Sequence, residues 1–202
     1  MKKYLVLMIL LAFGIPLFLI WQAPSIMGFP AFLITVVFTV YIPLQSVSLA
    51  ETKYPKTTAL LCSTPYTRGA IVNARYVFFL ILFIFCWFAY VILSFIVPKM
   101  DIISILDVII TFLIFSIVLG IYIPLQYKFG FEKMKYVLMI LLFATTFLMP
   151  SIVKMLTHAN INLDIFTSLS SPVRYAALIT VIFIVILMSL SASIRTFQKK
   201  EL

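Results

Sequence analysis

Apolar residues in this chain come in long runs, broken by short intervals rich in charge, proline or glycine. A strand of a membrane barrel alternates apolar and polar positions, whereas the stretch from Tyr76 to Val97 is apolar on every face, so the runs predict helices. A helix needs about 20 predominantly apolar residues to cross the hydrocarbon layer. Six runs meet that requirement, over 4–22, 27–48, 76–97, 104–126, 136–157 and 173–194. The pattern predicts an all-α integral membrane protein, one domain of six transmembrane helices over 1–202, with polar segments at 50–75 and 127–135. Pro16, Pro43, Pro124 and Pro150 lie within the runs. They predict kinks where neighbouring groups can bond the carbonyls that proline leaves without a donor. The first run follows Met-Lys-Lys, as a secretory leader would. It is long for a leader and no small-x-small site follows, so it is read as a span anchored by Trp21.

Orientation follows from the cations between the runs. With both termini in the cytoplasm, twelve of the fifteen Lys and Arg residues fall on the inner side. They are Lys2 and Lys3; Lys53, Lys56, Arg68 and Arg75; Lys128, Lys133 and Lys135; and Arg195, Lys199 and Lys200. Only Lys99, Lys154 and Arg174 fall outside. The positive-inside rule therefore predicts cytoplasmic termini. A membrane-impermeant thiol reagent applied to whole cells should react with a cysteine placed at Lys99 and miss one placed at Lys56; the reverse pattern would invert the topology.

Composition narrows the chemistry. At 64% hydrophobic and 10% charged, the chain departs from soluble domains, which run about 45–50% apolar and about 25% charged. The net charge of +9 is accounted for by topology, without a nucleic-acid partner. Two cysteines at different depths, Cys62 and Cys86, predict free thiols. One histidine, His158, and six carboxylates never paired at ligand spacing argue against a metal site or a His-based triad. The five glycines form no phosphate loop, so no cofactor is expected on this chain and any uphill movement must be powered by a partner.

The polar groups within the runs are hydroxyls, and most such groups bond the preceding turn or a neighbouring helix. Thr111, Ser116, Ser189, Ser191 and Ser193 are read that way. Thr35 and Thr39, one turn apart, are the candidates for lining a substrate path near mid-membrane, with Thr145 and Thr146 at its outer end. The pentapeptide Tyr41-Ile42-Pro43-Leu44-Gln45 recurs as Tyr122-Ile123-Pro124-Leu125-Gln126, with Glu51 and Glu132 following at the same offset of 81. Both copies end inward-running spans, which fits a duplicated helix pair or a twice-used interfacial anchor.

The segment from Ala50 to Arg75 is patterned rather than merely polar. Charges from Glu51 to Lys56 precede a short helical stretch, Thr57 to Cys62, that carries Leu60 and Leu61. Ser63-Thr64-Pro65 breaks it, and Thr67 can cap the helix that continues into the third span. Two leucines beside basic residues suit an ATPase groove and equally the headgroup layer.

Three separated stretches resemble the small bacterial ABC-2 type transporter permeases. They are Glu51 to Tyr76, containing Leu60-Leu61-Cys62-Ser63-Thr64-Pro65-Tyr66-Thr67-Arg68-Gly69-Ala70-Ile71-Val72; Pro124 to Lys133, containing Lys128-Phe129-Gly130-Phe131-Glu132; and Ser189 to Leu202. Two departures stand out: Ala70 sits where that family often completes a capping box with Glu, and only Met1-Lys2-Lys3 precedes the first span, where many members carry an elbow helix. The resemblance implies an ABC-2 (type V) exporter-like fold and the permease subunit of an ATP-driven exporter in a bacterial plasma membrane. It further implies separate ABC ATPase subunits that bind ATP and Mg, a second permease copy, and a hydrophobic or amphipathic cargo such as a peptide, drug or lipid. The ATPase-contacting residues it points to are Glu51, Lys56, Leu60, Leu61, Arg68, Phe129, Gly130 and Glu132. Other readings of such a chain are the vitamin-binding subunit of an energy-coupling-factor importer and a non-transporting immunity or assembly protein.

Overall fold

The computed structural model describes residues 2–22, 28–53, 68–98, 100, 102–130, 133–140, 142–144 and 171–198. Among them there is no strand. Five long helices follow in order: α1 Lys2–Gln22, α2 Phe29–Lys53, α3 Arg68–Ile96, α4 Ile105–Phe129 and α5 Ser171–Gln198. Apolar stretches long enough to cross a membrane occupy α2 (Phe29–Ser46), α3 (Gly69–Ile96), α4 (Ile105–Phe129) and α5 (Pro172–Phe197), while α1 carries the shorter Val6–Gln22. In the fifth expected span, residues 133–140 and 142–144 are helical; its remainder, with Thr145, Thr146 and Pro150, lies outside the described residues.

Helix ends depart from the apolar runs most at the segment between α2 and α3. α2 continues past 48 to Lys53 and α3 begins at Arg68 rather than 76, so the expected segment at 50–75 is helical at both margins. Hydrophobicity marks where the bilayer ends, whereas a helix stops only where a breaker intervenes, and Pro55 is the first one after α2. With 29 residues at a rise of about 1.5 Å each, α3 is longer than the roughly 30 Å hydrocarbon layer.

α2 is central, packing on α1, α3 and α4, and its Ala31, Phe32, Val36 and Val40 belong to the main core. Phe32 meets Tyr90 edge-on at 5.4 Å and Phe83 at 6.1 Å, and Phe83 continues to Phe112 of α4 at 4.8 Å. These rings join α2, α3 and α4 in one aromatic row, in the tilted arrangements that ring quadrupoles favour. α5 is the least buried span; Ile179, Phe183, Ile184 and Met188 point outward, which costs nothing where the solvent is lipid.

The tightest junction is between α4 and α5, and a proline explains it. Pro124 has no N–H, so the carbonyl four residues earlier, that of Gly120, loses its helical donor. The Ser189 hydroxyl of α5 donates to that carbonyl at 2.9 Å. Gly120 permits the approach, since a Cβ there would already lie 3.4 Å from the Ser189 Cβ. At its other end α4 is capped by Ser104, whose hydroxyl accepts from the Leu106 N–H. Asp107 in the first turn and Lys128 in the last complement the helix dipole.

The repeated pentapeptide lies near the ends of both α2 and α4, yet in different surroundings. Tyr122 and Gln126 are buried, whereas Tyr41 is half-buried and Gln45 exposed.

Candidate functional site

α3, α4 and α5 enclose a lateral groove of about 330 Å³. Phe79, Leu80, Phe112, Phe115, Leu119, Ile186 and Leu190 make its apolar wall. Its polar groups are Asn73 and Tyr76, one turn apart on α3, and Ser116 on α4. The Tyr76 hydroxyl is held by Ser189 at 2.5 Å and by Ser193 at 2.9 Å, and Ser189 passes the connection to the Gly120 carbonyl. Ser189 and Ser193 are four residues apart and share one face of α5, while Ser191 between them is exposed. The hydroxyls thus form a clasp at the groove's edge rather than a binding cluster within it, and the groove suits an apolar body with few fixed polar demands.

Thr35 and Thr39 do face one side of α2, but that side is the interior of the bundle, where both are fully buried. The Thr35 hydroxyl donates to the Ala31 carbonyl one turn back, at 2.8 Å. That of Thr39 lies toward the Cys86 thiol of α3 and makes no hydrogen bond of ordinary geometry. Thr111 likewise bonds the Asp107 carbonyl at 2.8 Å. All three side chains are thus buried within the single chain.

Of the residues assigned to an ATPase contact, Lys56, Leu60, Leu61 and Glu132 lie outside the described residues. Glu51 falls on the last turn of α2 and Arg68 on the first residue of α3. Phe129 ends α4 with its ring half exposed and the Lys128 ammonium 5.3 Å from it. Gly130 closes the helix, donating its N–H to the Gln126 carbonyl at 2.9 Å, with φ 81° and ψ 164°. That conformation is essentially confined to glycine. Gly28 shares the property, at φ 84°. A β-branched substitution is therefore strained at both positions.

Two residues counted in the sequence only as a cytoplasmic charge and part of a span take larger roles. Arg75 is buried, its guanidinium 5.4 Å from the centre of the Tyr127 ring, and Tyr76 anchors the clasp. A signal for the clasp was present: Gly120 and Pro124 at i and i+4 on one span, and Ser189 and Ser193 at i and i+4 on another.

A bundle of long helices, apolar on all faces, with a lateral groove and a proline-freed carbonyl bonded across helices defines a multi-pass membrane protein. The chain belongs to the family described as ABC-2 family transporter protein, whose model matches residues 1–198. It is thus a permease component of an ATP-binding-cassette transporter, and such membrane proteins work with ABC ATPase partners. No curated protein and no solved structure matches the chain.

Proposed function

We propose that this permease exports a hydrophobic or amphipathic compound from a bacterial cell, driven by separate ATPase subunits and paired with a second permease copy. The observation that carries the reading is the groove: apolar, partly open, and lined by no charged group among the described residues. A cargo that slides along such a surface is released more readily than one fixed by several polar anchors. Amphipathic peptides, apolar drugs and lipids share the required chemistry. The groove, rather than Thr35 and Thr39, is then the stretch of the route that this chain supplies, and Thr145 and Thr146 retain their assignment to its outer end. The permease does no chemistry of its own and holds no cofactor; ATP and Mg belong to the ATPase. The positive-inside count puts the segment between α2 and α3, and the turn at Gly130, on the ATPase side.

Leu60 and Leu61 supply the apolar grip, with Glu51, Lys56 and Arg68 orienting the partner through rim charges; Phe129, Gly130 and Glu132 make the second contact. Replacing both leucines by aspartate should weaken ATPase association by about 2 kcal/mol or more, the scale of a lost interface anchor and about thirtyfold in affinity. Pull-down of the ATPase from solubilised membranes measures this, with the amount of membrane-inserted permease as control. Undiminished recovery of the ATPase would leave the leucines in the headgroup layer.

A further inference from the structure

Arg75 lies two turns into α3, yet only 8% of it is exposed. A buried guanidinium is expensive unless its surroundings compensate it, and here it lies over the Tyr127 ring of α4 at 5.4 Å. Tyr127 packs in turn on Phe197 of α5, ring centres 4.9 Å apart. One stack therefore ties the beginning of α3 to the ends of α4 and α5. The next residue, Tyr76, repeats the connection a step deeper, through Ser189 and Ser193 of α5 and, by way of Ser189, the Gly120 carbonyl of α4.

The placement of the stack along the chain gives it meaning. Arg75 is a buried charge two turns after the segment that separates α2 from α3. Tyr127 immediately precedes Lys128, Phe129 and Gly130, and Phe197 lies in the last turn of α5. A displacement arriving through either ATPase contact therefore meets the same three rigid side groups. A planar guanidinium on an aromatic face resists tilting better than a lysine ammonium would.

We propose that the Arg75–Tyr127–Phe197 stack is the joint that makes α3, α4 and α5 move as one body when the ATPase displaces the segment before α3. Arg75 is a positioning residue: it touches neither cargo nor nucleotide. The proposal rests on the reading of that segment as an ATPase contact, and its test separates the two.

The experiment uses the full permease with its copurified ATPase. Spin labels are placed at Phe78→Cys on α3 and Met188→Cys on α5, both exposed positions, in a background carrying Cys62→Ser and Cys86→Ala. The distance between the labels is measured without nucleotide and after trapping with ATP and vanadate. With Arg75 present the distance is the same in both states. In Arg75→Met, with vanadate-sensitive ATP hydrolysis retained, it changes by about 2 Å or more, the size of a helix shift at an interface. Tyr127→Leu behaves as Arg75→Met, while Tyr127→Phe, which keeps the ring, behaves as the parent. A merely structural role lowers the yield of Arg75→Met but leaves the distance independent of nucleotide, and that result overturns the proposal. So does a nucleotide-dependent distance in the parent. Failure of any ATPase to copurify with the parent is a different outcome, which removes the proposal together with the reading beneath it.

Discussion

Gly120→Leu is expected to separate α4 from α5 and to lose the folded bundle, while Gly120→Ala stays close to the parent. A Cβ at this position would stand 3.4 Å from the Ser189 Cβ and 3.5 Å from its hydroxyl, which is ordinary contact and explains the tolerance of alanine. Leucine adds three carbons beyond a Cβ that already touches Ser189 and, at 3.7 Å, Val185; such overpacking costs about 1–3 kcal/mol. The displaced Ser189 then leaves the Gly120 carbonyl without its cross-helix donor. Since Pro124 removes the helical donor as well, the unmet carbonyl adds about 1–3 kcal/mol. Tyr76 loses its shorter bond in the same event. Ser189→Ala, which removes the donor without adding bulk, should show the second cost alone. Thermal unfolding of the detergent-solubilised protein, followed by size-exclusion profile, ranks the three variants. Equal profiles for Gly120→Leu and the parent would mean that α4 and α5 do not meet through this surface.

The second large effect concerns the groove. Leu80→Trp places an indole into a space of about 330 Å³ from a rim position where leucine is partly exposed, so it fills a void instead of forcing apart a packed core. Stimulation of ATP hydrolysis by a synthetic amphipathic helical peptide should fall about tenfold or more, equivalent to about 1.4 kcal/mol of lost cargo binding. Association with the ATPase should persist. The paired control is the double variant Thr35→Val and Thr39→Val. Its hydroxyls lie in the bundle interior, that of Thr35 is already engaged by its own helix, and the net worth of such a bond is about 1 kcal/mol. Peptide stimulation should therefore survive in the control. The opposite pair of results would move the route out of the groove and into the bundle.

The contrast between those two sites shows what a membrane sequence does and does not reveal. The existence of α2, α3, α4 and α5 is legible, because about 20 apolar residues between polar intervals have few other uses. The cap and turn at Gly130 are legible for a similar reason, since a glycine after the last periodic residue marks a helix end. The inward face of each helix is not. In water, a helix shows its core side by an apolar stripe, but here lipid and core are equally apolar, and α4 presents Phe115 inward and Ile117 outward with nothing in the residue types to separate them. Thr35 and Thr39 were therefore placeable on one face of α2, but the residue types did not say that this face is the buried one. Exact helix limits are hidden for a related reason: the apolar runs end where hydrophobicity ends, whereas α2 continues to Lys53 and α3 begins at Arg68. Polar coincidences were the better guide. Pro124 frees a carbonyl, Gly120 allows close approach, and the Ser189 and Ser193 pair completes the junction, all of it written as i, i+4 spacing on two distant spans.

The central claim is that this permease and an ATP-binding-cassette ATPase together move an amphipathic compound. Its most direct test is to purify the tagged chain from its native membrane, identify what accompanies it, and measure ATP hydrolysis after reconstitution in lipid vesicles with and without the synthetic amphipathic peptide. The account predicts an ABC ATPase in equal amount to the permease and hydrolysis that rises when the peptide is added. A permease that emerges without an ATPase and with a small water-soluble ligand tightly bound, or an accompanying ATPase indifferent to the peptide, would contradict it.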